Sequence, residues 1–419
     1  MLLATSVEAT AGGFAVREQS AFGMGNAFAG MAAGGGASAQ FWNPATMTQF
    51  RGIAVESDQS WLIPYTNHVV NVPLSTLGIF GGAAMNTPAW VPAGSVSVQI
   101  TDMVWFGFTM NSPFGLRVEF PDLWAGRNYA QTTMLKTYNG SPAFAIKFNE
   151  YISVALGAQI QFAQANLNTG FLAAPTSHIA LDANGWGFGA TAGVTFTPGP
   201  NTSIGLGWRS GINQKLDNAL LTLNPLVAGS TPGLVKATVN LPDMVNFGIS
   251  HRFDAVWTVK AGVEWANWSR IGTVAVTQAN GAPATVGGVP VTLPFQYRDG
   301  WFFSGGADYQ VSKTITLRGG VAYEITPIDD RVRTPRLPDN DRFWATAGLS
   351  YSPVPGISFD ASYAHIWVRN APINITALSG NPWFAGGVDY VGEARSHVDI
   401  MSFGLRLHLA PTPALVTKG

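Results

Sequence analysis

Five charged residues carry the first chemical signal in this 419-residue sequence: Lys260 and Glu264, Asp308, and Arg318 and Glu324. They fall on three consecutive stretches in which apolar and small residues alternate, and each shares the parity of the small residues. Side chains two apart on a strand point the same way, so all five face one side of a sheet. Acids and bases opposed on neighbouring strands form a self-neutralising ladder, the usual filling of a polar barrel interior. The sharper chemistry open to them is that Arg318 or Lys260 holds a ligand carboxylate through charge-assisted hydrogen bonds. For any single residue the ladder is the reading we prefer. Lys147 and Arg209 are further inward cations of the same kind.

Catalytic chemistry is poorly supplied. The sequence has no G-x-S-x-G, P-loop, H-E-x-x-H or G-x-G-x-x-G pattern, and no cysteine for thiolate, disulfide or Cys-type zinc chemistry. A lipase would need Ser and His on one surface. Ser250 and His251 are adjacent on a strand and point to opposite faces, while His365 falls on an apolar face. We expect no enzyme activity, no metal and no cofactor. With a net charge of −1 and no basic patch, nucleic acid is not an expected partner.

The elements that carry these residues repeat one grammar, alternation over ten or more residues, the length of a tilted membrane-spanning strand. From Gly185 to Phe196, Trp186, Phe188, Ala190, Ala192, Val194 and Phe196 share one face, opposite a face of glycine and threonine. Fourteen such segments can be counted, near 51–65, 89–100, 103–119, 137–149, 151–165, 184–197, 201–215, 236–252, 255–276, 295–311, 313–326, 342–352, 357–374 and 388–409. Short connections alternate with long ones at 120–136, 166–183, 216–235, 277–294, 327–341 and 375–387, as between the two rims of an outer-membrane barrel. A soluble β-protein would show Lys, Glu and Asp on its polar face. Here that face is mostly Gly, Ser, Thr, Asn and Gln, and charged residues are 11% of the chain against about 25% in soluble proteins.

The first fifty residues break the grammar. From Gly12 to Phe50 there are eight glycines and only two charges, Arg17 and Glu18, with neither strand alternation nor a long helical stripe. Such a segment is too apolar for a solvated tail and too glycine-rich for a helix bundle, and reads as a plug. Before it, Ala9-Thr10-Ala11 is a small-x-small pattern of the kind that precedes signal-peptide cleavage, without the usual basic n-region. The expected organisation is a signal-peptide remnant at 1–11, a plug at 12–50, a fourteen-stranded barrel at 51–409 and a tail at 410–419.

The chain resembles the FadL-type outer-membrane transporters of long-chain fatty acids and other hydrophobic compounds. The resemblance runs through Gly12-Gly13-Phe14, Ser20-Ala21-Phe22-Gly23-Met24-Gly25, Asn43-Pro44-Ala45, Asn111-Ser112-Pro113-Phe114-Gly115-Leu116, Leu241-Pro242-Asp243-Met244 and Pro338-Asp339-Asn340-Asp341-Arg342-Phe343-Trp344. It implies an all-β fold, a 14-stranded antiparallel transmembrane β-barrel with an N-terminal hatch inside it. It also implies passive uptake and sideways release of substrate beside a kinked third strand. The tail after Leu409 departs from the family pattern, whose chains commonly end on the last strand.

Site expectations follow. Asn43-Pro44-Ala45 should form a tight turn of the plug, because Pro44 keeps Asn43 out of the helical region. Phe14, with Phe22, Met24 and Phe28 nearby, should line an apolar ligand pocket, and Lys147, Arg209, Lys260 and Arg318 are the candidate anchors. Leu123, Trp124 and Leu135 are expected to form a low-affinity groove for incoming ligand at the extracellular rim. Pro113 removes a ladder hydrogen bond and Gly115 weakens pairing, so Asn111, Ser112, Pro113, Phe114 and Gly115 should open a lateral gap. The expected function is passive outer-membrane uptake of long-chain fatty acids. The alternatives are small hydrocarbons such as monoaromatics by the same route, or a structural or lipolytic barrel. The expected partners are a hydrophobic small molecule, outer-membrane lipid and lipopolysaccharide, and the barrel is expected to be a monomer.

Overall fold

The structure is a computed structural model that describes residues 12–71, 81–170, 177–384 and 388–409. The segments read as signal remnant and tail lie outside these residues. Fourteen antiparallel strands close into a barrel. In chain order, β1 is Ile53–Val70, β2 Ala89–Gln99, and β3 Val104–Asn111 resuming at Gly115–Glu119. Then come β4 Thr132–Lys147, β5 Ile152–Gly170, β6 His178–Gly199, and β7 Thr202–Arg209 with Asn213–Asn224. Next are β8, Gly233–Asn240 with Met244–Arg252, and β9, Trp257–Ala266 with Thr273–Gln278. β10 is Thr292–Pro294 with Gly300–Gln310, β11 Ile315–Ile325 and β12 Arg342–Val354. β13, Ile357–Val368 with Ala371–Ile375, and β14, Tyr390–Leu409, complete the ring, and β14 pairs with β1 from Leu409↔Ile53 to Gly392↔Val70. Closure removes the two end edges of the sheet, the condition for a spanning sheet; the break in the ladder after Asn111 of β3 is met by the N-terminal segment.

Register shows how the wall meets lipid. Phe303, Tyr323, Phe343, Trp367, His397 and Tyr65 are successive cross-strand partners from β10 round to β1 and form one aromatic row. The row's Phe, Tyr and Trp side chains are exposed on the outer face. A second row, Ile315, Tyr351, Phe359 and Leu405, crosses the same strands eight residues nearer the short turns. Eight tilted residues span about 20 Å, close to the apolar band of such barrels.

Strands on one side are longer than expected. The expected loops at 166–183 and 216–235 are mostly ladder, because β5 runs to Gly170, β6 starts at His178 and β7 continues to Asn224. The expected loop at 120–136 likewise ends at Thr132, where β4 begins. Asn166, Asp182, Asp217 and Asn218 look like loop residues in sequence. They lie on the outer face above the aromatic row Tyr138–Phe162–Trp186, while Leu181, Leu216, Leu221 and Val235 pack together within.

The N-terminal segment fills the barrel. From Gly12 to Thr48 every residue but Gly35 is buried. Short helical turns at Ala21–Met24, Met31–Ala33, Ala37–Phe41 and Pro44–Gln49 pack on the inner wall. The small inner residues are a steric requirement. A Cβ on Gly205 would overlap the Ala32 carbonyl oxygen, and one on Gly207 that of Trp42. Ion pairs tie the segment to the wall: Arg17 lies 2.7 Å from Glu264 and 2.5 Å from Glu324. The amide of Ala21 donates to Asp58 at 2.7 Å, and that of Ser38 to Glu56 at 2.9 Å.

Candidate functional site

Asn43, expected at the head of a tight turn, caps the 3₁₀ turn that Pro44 opens. Its backbone is extended (φ −152°, ψ 107°), its Oδ1 accepts from the Ala45 amide at 3.0 Å, and Pro44 begins the 3₁₀ turn Pro44–Gln49. Its Nδ2 donates to the Ala32 carbonyl at 2.7 Å and to Val194 of β6 at 2.9 Å. One side chain thus joins the cap, the rest of the plug and the wall.

The kink lies where Pro113 and Gly115 place it, since β3 stops at Asn111 and resumes at Gly115. The amide and carbonyl of Phe114 turn to Thr137 Oγ1 of β4, and the N-terminal segment takes up the groups on either side. Ala15 bridges Phe114, Val16 N donates to Pro113 O at 2.9 Å, and Gly115 N donates to Phe14 O at 2.9 Å. Gln19, fully buried, gives its Nε2 to Ser112 O at 2.9 Å and accepts at 3.3 Å from both Asn111 Nδ2 and Ser112 N. Nothing in the local sequence marked Gln19, because its partners are nearly a hundred residues away.

Above the kink lies an apolar cavity of about 90 Å³. Phe14, Leu116, Leu135, Leu216, Val239, Phe295 and Leu337 are among its walls. Phe14 sits edge-on to Trp268 (4.6 Å between centroids) and to Phe114 of the kink (6.1 Å). It therefore touches pocket and kink at once. Among the described plug residues it alone reaches this cavity.

Phe22, Met24 and Phe28 are elsewhere, in a second buried cluster with Phe41, Trp42 and Trp344. Phe22 serves as a platform for charge: Lys260, Arg318 and Arg406 lie over its ring at 4.7, 4.2 and 4.5 Å. Of the five inward charges, Lys260, Asp308 and Arg318 pair across the wall, whereas Glu264 and Glu324 face Arg17 of the plug. Lys260 pairs with Asp308 at 2.8 Å, and Arg318 with Asp308 and Asp360 at 3.3 and 3.5 Å. Lys147 has inward parity but ends β4 beside a short turn, at the rim opposite the pocket. Arg209 is buried against Phe41 (4.5 Å over the ring) and donates to Gln159 at 2.6 Å, below the cavity. The three residues expected to form a rim groove do not share one. Leu123 is exposed, Trp124 is buried against Phe120, His68 and Tyr390, and Leu135 lines the cavity from β4.

The cation at the pocket was missed in sequence. Arg336, from the connection between β11 and β12, is buried in the cavity wall beside Tyr297 and Thr334. Its Nη2 donates to the Tyr129 carbonyl at 2.9 Å and its Nη1 to Thr133, while Nε is buried with no partner among the described residues. Burial pushes its pKa down to about 10. Arg17, Arg318, Arg333, Arg342 and Arg406 all face carboxylates, whereas no ion pair to Arg336 occurs among the described residues. Sequence gave no signal because the residue lies in a proline-flanked loop without parity.

Outside the lumen, His365 pairs with Asp399 at 2.7 Å on the lipid face, and Tyr363 donates to the same carboxylate at 2.5 Å. Ser402, three residues from Asp399, points inward to Ser60, so this His–Asp pair is not completed to a triad there. No group of three or more acidic, His or Cys side chains able to hold a metal occurs among the described residues.

Comparison with known proteins agrees with this architecture. The profile of the "Outer membrane protein transport protein (OMPP1/FadL/TodX)" family matches residues 2–408. The long-chain fatty acid transport protein of Salmonella typhi is 25% identical over 401 residues, covering 88% of this chain and 90% of that protein. Outer membrane protein P1 of Haemophilus influenzae is 27% identical over 418 residues, covering 87% and 89%. Among solved structures, a Pseudomonas aeruginosa FadL homologue superposes with a TM-score of 0.80 at 22% identity, covering 94% of this chain and 99% of that one. The P. putida toluene transporter TodX gives 0.64 at 16%, covering 90% and 95%. At those identities the structural likeness is one of fold. The profile match over nearly the whole chain settles membership: this is an outer-membrane β-barrel, and it belongs to the OMPP1/FadL/TodX family of outer membrane protein transport proteins.

Proposed function

We propose that this protein is a passive uptake channel for hydrophobic molecules, and that long-chain fatty acids are its first substrate. The observation that carries the choice of an acid is Arg336, a buried guanidinium with no carboxylate partner among the described residues, at the wall of an apolar cavity. Such a cation is costly unless a ligand anion completes it, and a planar guanidinium suits a carboxylate. The relatives named as long-chain fatty acid transport proteins support the same choice.

Residues 12–50 act as the hatch on the periplasmic side of the 51–409 barrel, and the substrate leaves sideways through the β3 kink. Phe14 supports that route, since it faces the cavity with its ring and closes the kink with its carbonyl. Each buried CH₂ favours the bilayer over water by about 0.8 kcal/mol, so an alkyl chain gains by going straight into lipid. The barrel works as a monomer among outer-membrane lipid and lipopolysaccharide, without catalysis. The second reading, monoaromatic hydrocarbons, draws support from the aromatic walls Phe14, Phe295 and Trp383. Uptake into liposomes of labelled oleate against toluene decides between them. Saturable oleate uptake is expected; toluene uptake with oleate excluded would replace the acid by the hydrocarbon.

A further inference from the structure

The outer face of the extended strands carries a groove that neither the cavity nor the kink uses. Its volume is about 590 Å³, and Gln164, Asn184, Asn218 and Lys236 are among its walls. Register sets these side chains in a row. Lys136 of β4 pairs with Gln164 of β5, Gln164 with Asn184 of β6, and Asn184 with Asn218 of β7. Lys236 of β8 stands opposite the bulge that holds Asp217 and Asn218, and Lys215 precedes the bulge, paired with Thr238. Five neighbouring strands thus present a lysine, three amides and a lysine across four strand spacings, roughly 19 Å. Two residues nearer the short turns runs the aromatic row Tyr138, Phe162 and Trp186, with exposed Phe188 below it. Such a row marks the border of the hydrocarbon, so the lysines stand at the level of lipid headgroups.

The charge of the groove is not spent on the protein. Arg117, Arg270 and Arg395 elsewhere on the surface are each paired with a carboxylate, whereas Lys136, Lys215 and Lys236 have no ion pair among the described residues. Asp182 is taken by Asn166 Nδ2, and Asp217 is exposed in the bulge. Three lysines against these two acids leave one positive charge. Cations at both ends of a run of amides suit a ligand with two anionic ends and a polar middle. The outer leaflet of an outer membrane supplies one in lipid A, a glucosamine disaccharide with a phosphate at each end and acyl chains beneath. A phosphoglyceride has a single phosphate and would use one end of the row.

We propose that this groove seats the lipid A headgroup of one lipopolysaccharide molecule. Lys136 holds one phosphate and Lys215 with Lys236 the other, while Gln164, Asn184 and Asn218 donate to and accept from the sugars. The acyl chains lie on Phe162, Trp186 and Phe188. The seat rests on the outer-membrane placement of the barrel and not on what the barrel carries. Ala165, Ala183, Leu216 and Ala237, next along the strands, face the cavity, so one thickness of sheet separates the seat from the ligand site.

The test titrates the detergent-solubilised barrel, freed of lipopolysaccharide, with diphosphoryl lipid A and reads bound lipid by native mass spectrometry. Saturation at one lipid per barrel is expected. Lys136→Gln, Lys215→Gln and Lys236→Gln together should weaken binding roughly ten- to a hundredfold, since each lysine near an anionic lipid surface contributes separately. Arg51→Gln, Arg252→Gln and Lys313→Gln remove as much charge from exposed sites at the opposite rim. Those sites lie beyond a Debye length of the groove, so binding should shift less than about twofold. Lipid A stripped of both phosphates should bind the wild type and the lysine variant equally weakly, and phosphatidylglycerol should bind the wild type more weakly than lipid A does. Should the triple lysine variant not fold, each single substitution should weaken lipid A several-fold. Unsaturable binding, equal losses in the two triple variants, single variants that bind as the wild type does, or no preference for diphosphoryl lipid A over the stripped form or phosphatidylglycerol would each overturn the seat. No uptake is read, so a failure here leaves the channel reading standing, and a failure of uptake leaves the seat.

Discussion

Replacing Arg336 by Leu tests the carboxylate anchor most directly. In the unliganded protein Arg336 contributes donors to the Tyr129 carbonyl and to Thr133, and leaves Nε unused in an apolar wall. Leu costs those two contacts, about 1 kcal/mol each, and relieves the burial of a guanidinium that has no carboxylate partner among the described residues, so barrel stability should change little. Ligand binding should change far more. A hydrogen bond to a charged group is worth about 1.5–3 kcal/mol, and at about 1.4 kcal/mol per tenfold the loss of oleate affinity is roughly 10- to 150-fold. Oleyl alcohol and toluene have no carboxylate to lose and should shift less than about twofold on the same constants. Titration calorimetry in detergent with the three ligands reads the contrast. Equal losses for oleate and oleyl alcohol, or no loss for either, would refute the anchor and leave Arg336 a packing residue.

Gly115→Glu places a charge in the kink and should abolish liposome uptake of oleate while leaving its binding constant within about twofold; normal uptake would exclude the lateral route. Asn43→Ala deletes three hydrogen bonds of 2.7–3.0 Å, worth about 0.5–1.5 kcal/mol each, so exchange of the Pro44–Gln49 amides should speed by at least tenfold. Unchanged exchange and uptake would remove Asn43 from the docking of the plug. Burial pushes the Glu18 carboxyl up to about 7. The folded state then binds the extra proton, so stability is greatest near pH 4.5 and falls by roughly 3 kcal/mol as pH rises to 7. Glu18→Gln should flatten that part of a denaturation-versus-pH profile, and an unaltered slope would assign the dependence to other groups.

Sequence alone determined the barrel and its strand number, because spanning strands must alternate and close, and a period-2 pattern survives whatever packs around it. It also marked the kink, since Pro113 cannot donate and Gly115 has no side chain, both local properties. It located the inward charges, as parity fixes the face of Lys260 and Arg318. It did not fix their partners, because register across strands brings together Lys260 and Asp308, residues far apart in the chain. The extended rims were hidden because outward Asn and Asp above the membrane look like loop residues until strands pair beneath them. That the inner glycines seat the plug is set by the path of its backbone along Gly205 and Gly207, which only the tertiary structure shows. Phe14 could be assigned to the pocket from its place near the start of the plug, but Phe22 and Phe28 could not be excluded from it, since irregular structure has no period. Arg336 and Gln19 were legible nowhere in the sequence. Each acquires its role from neighbours about a hundred residues away or more, Thr133 and Tyr129 for one and the opened β3 backbone for the other, and only the closed barrel brings those neighbours together.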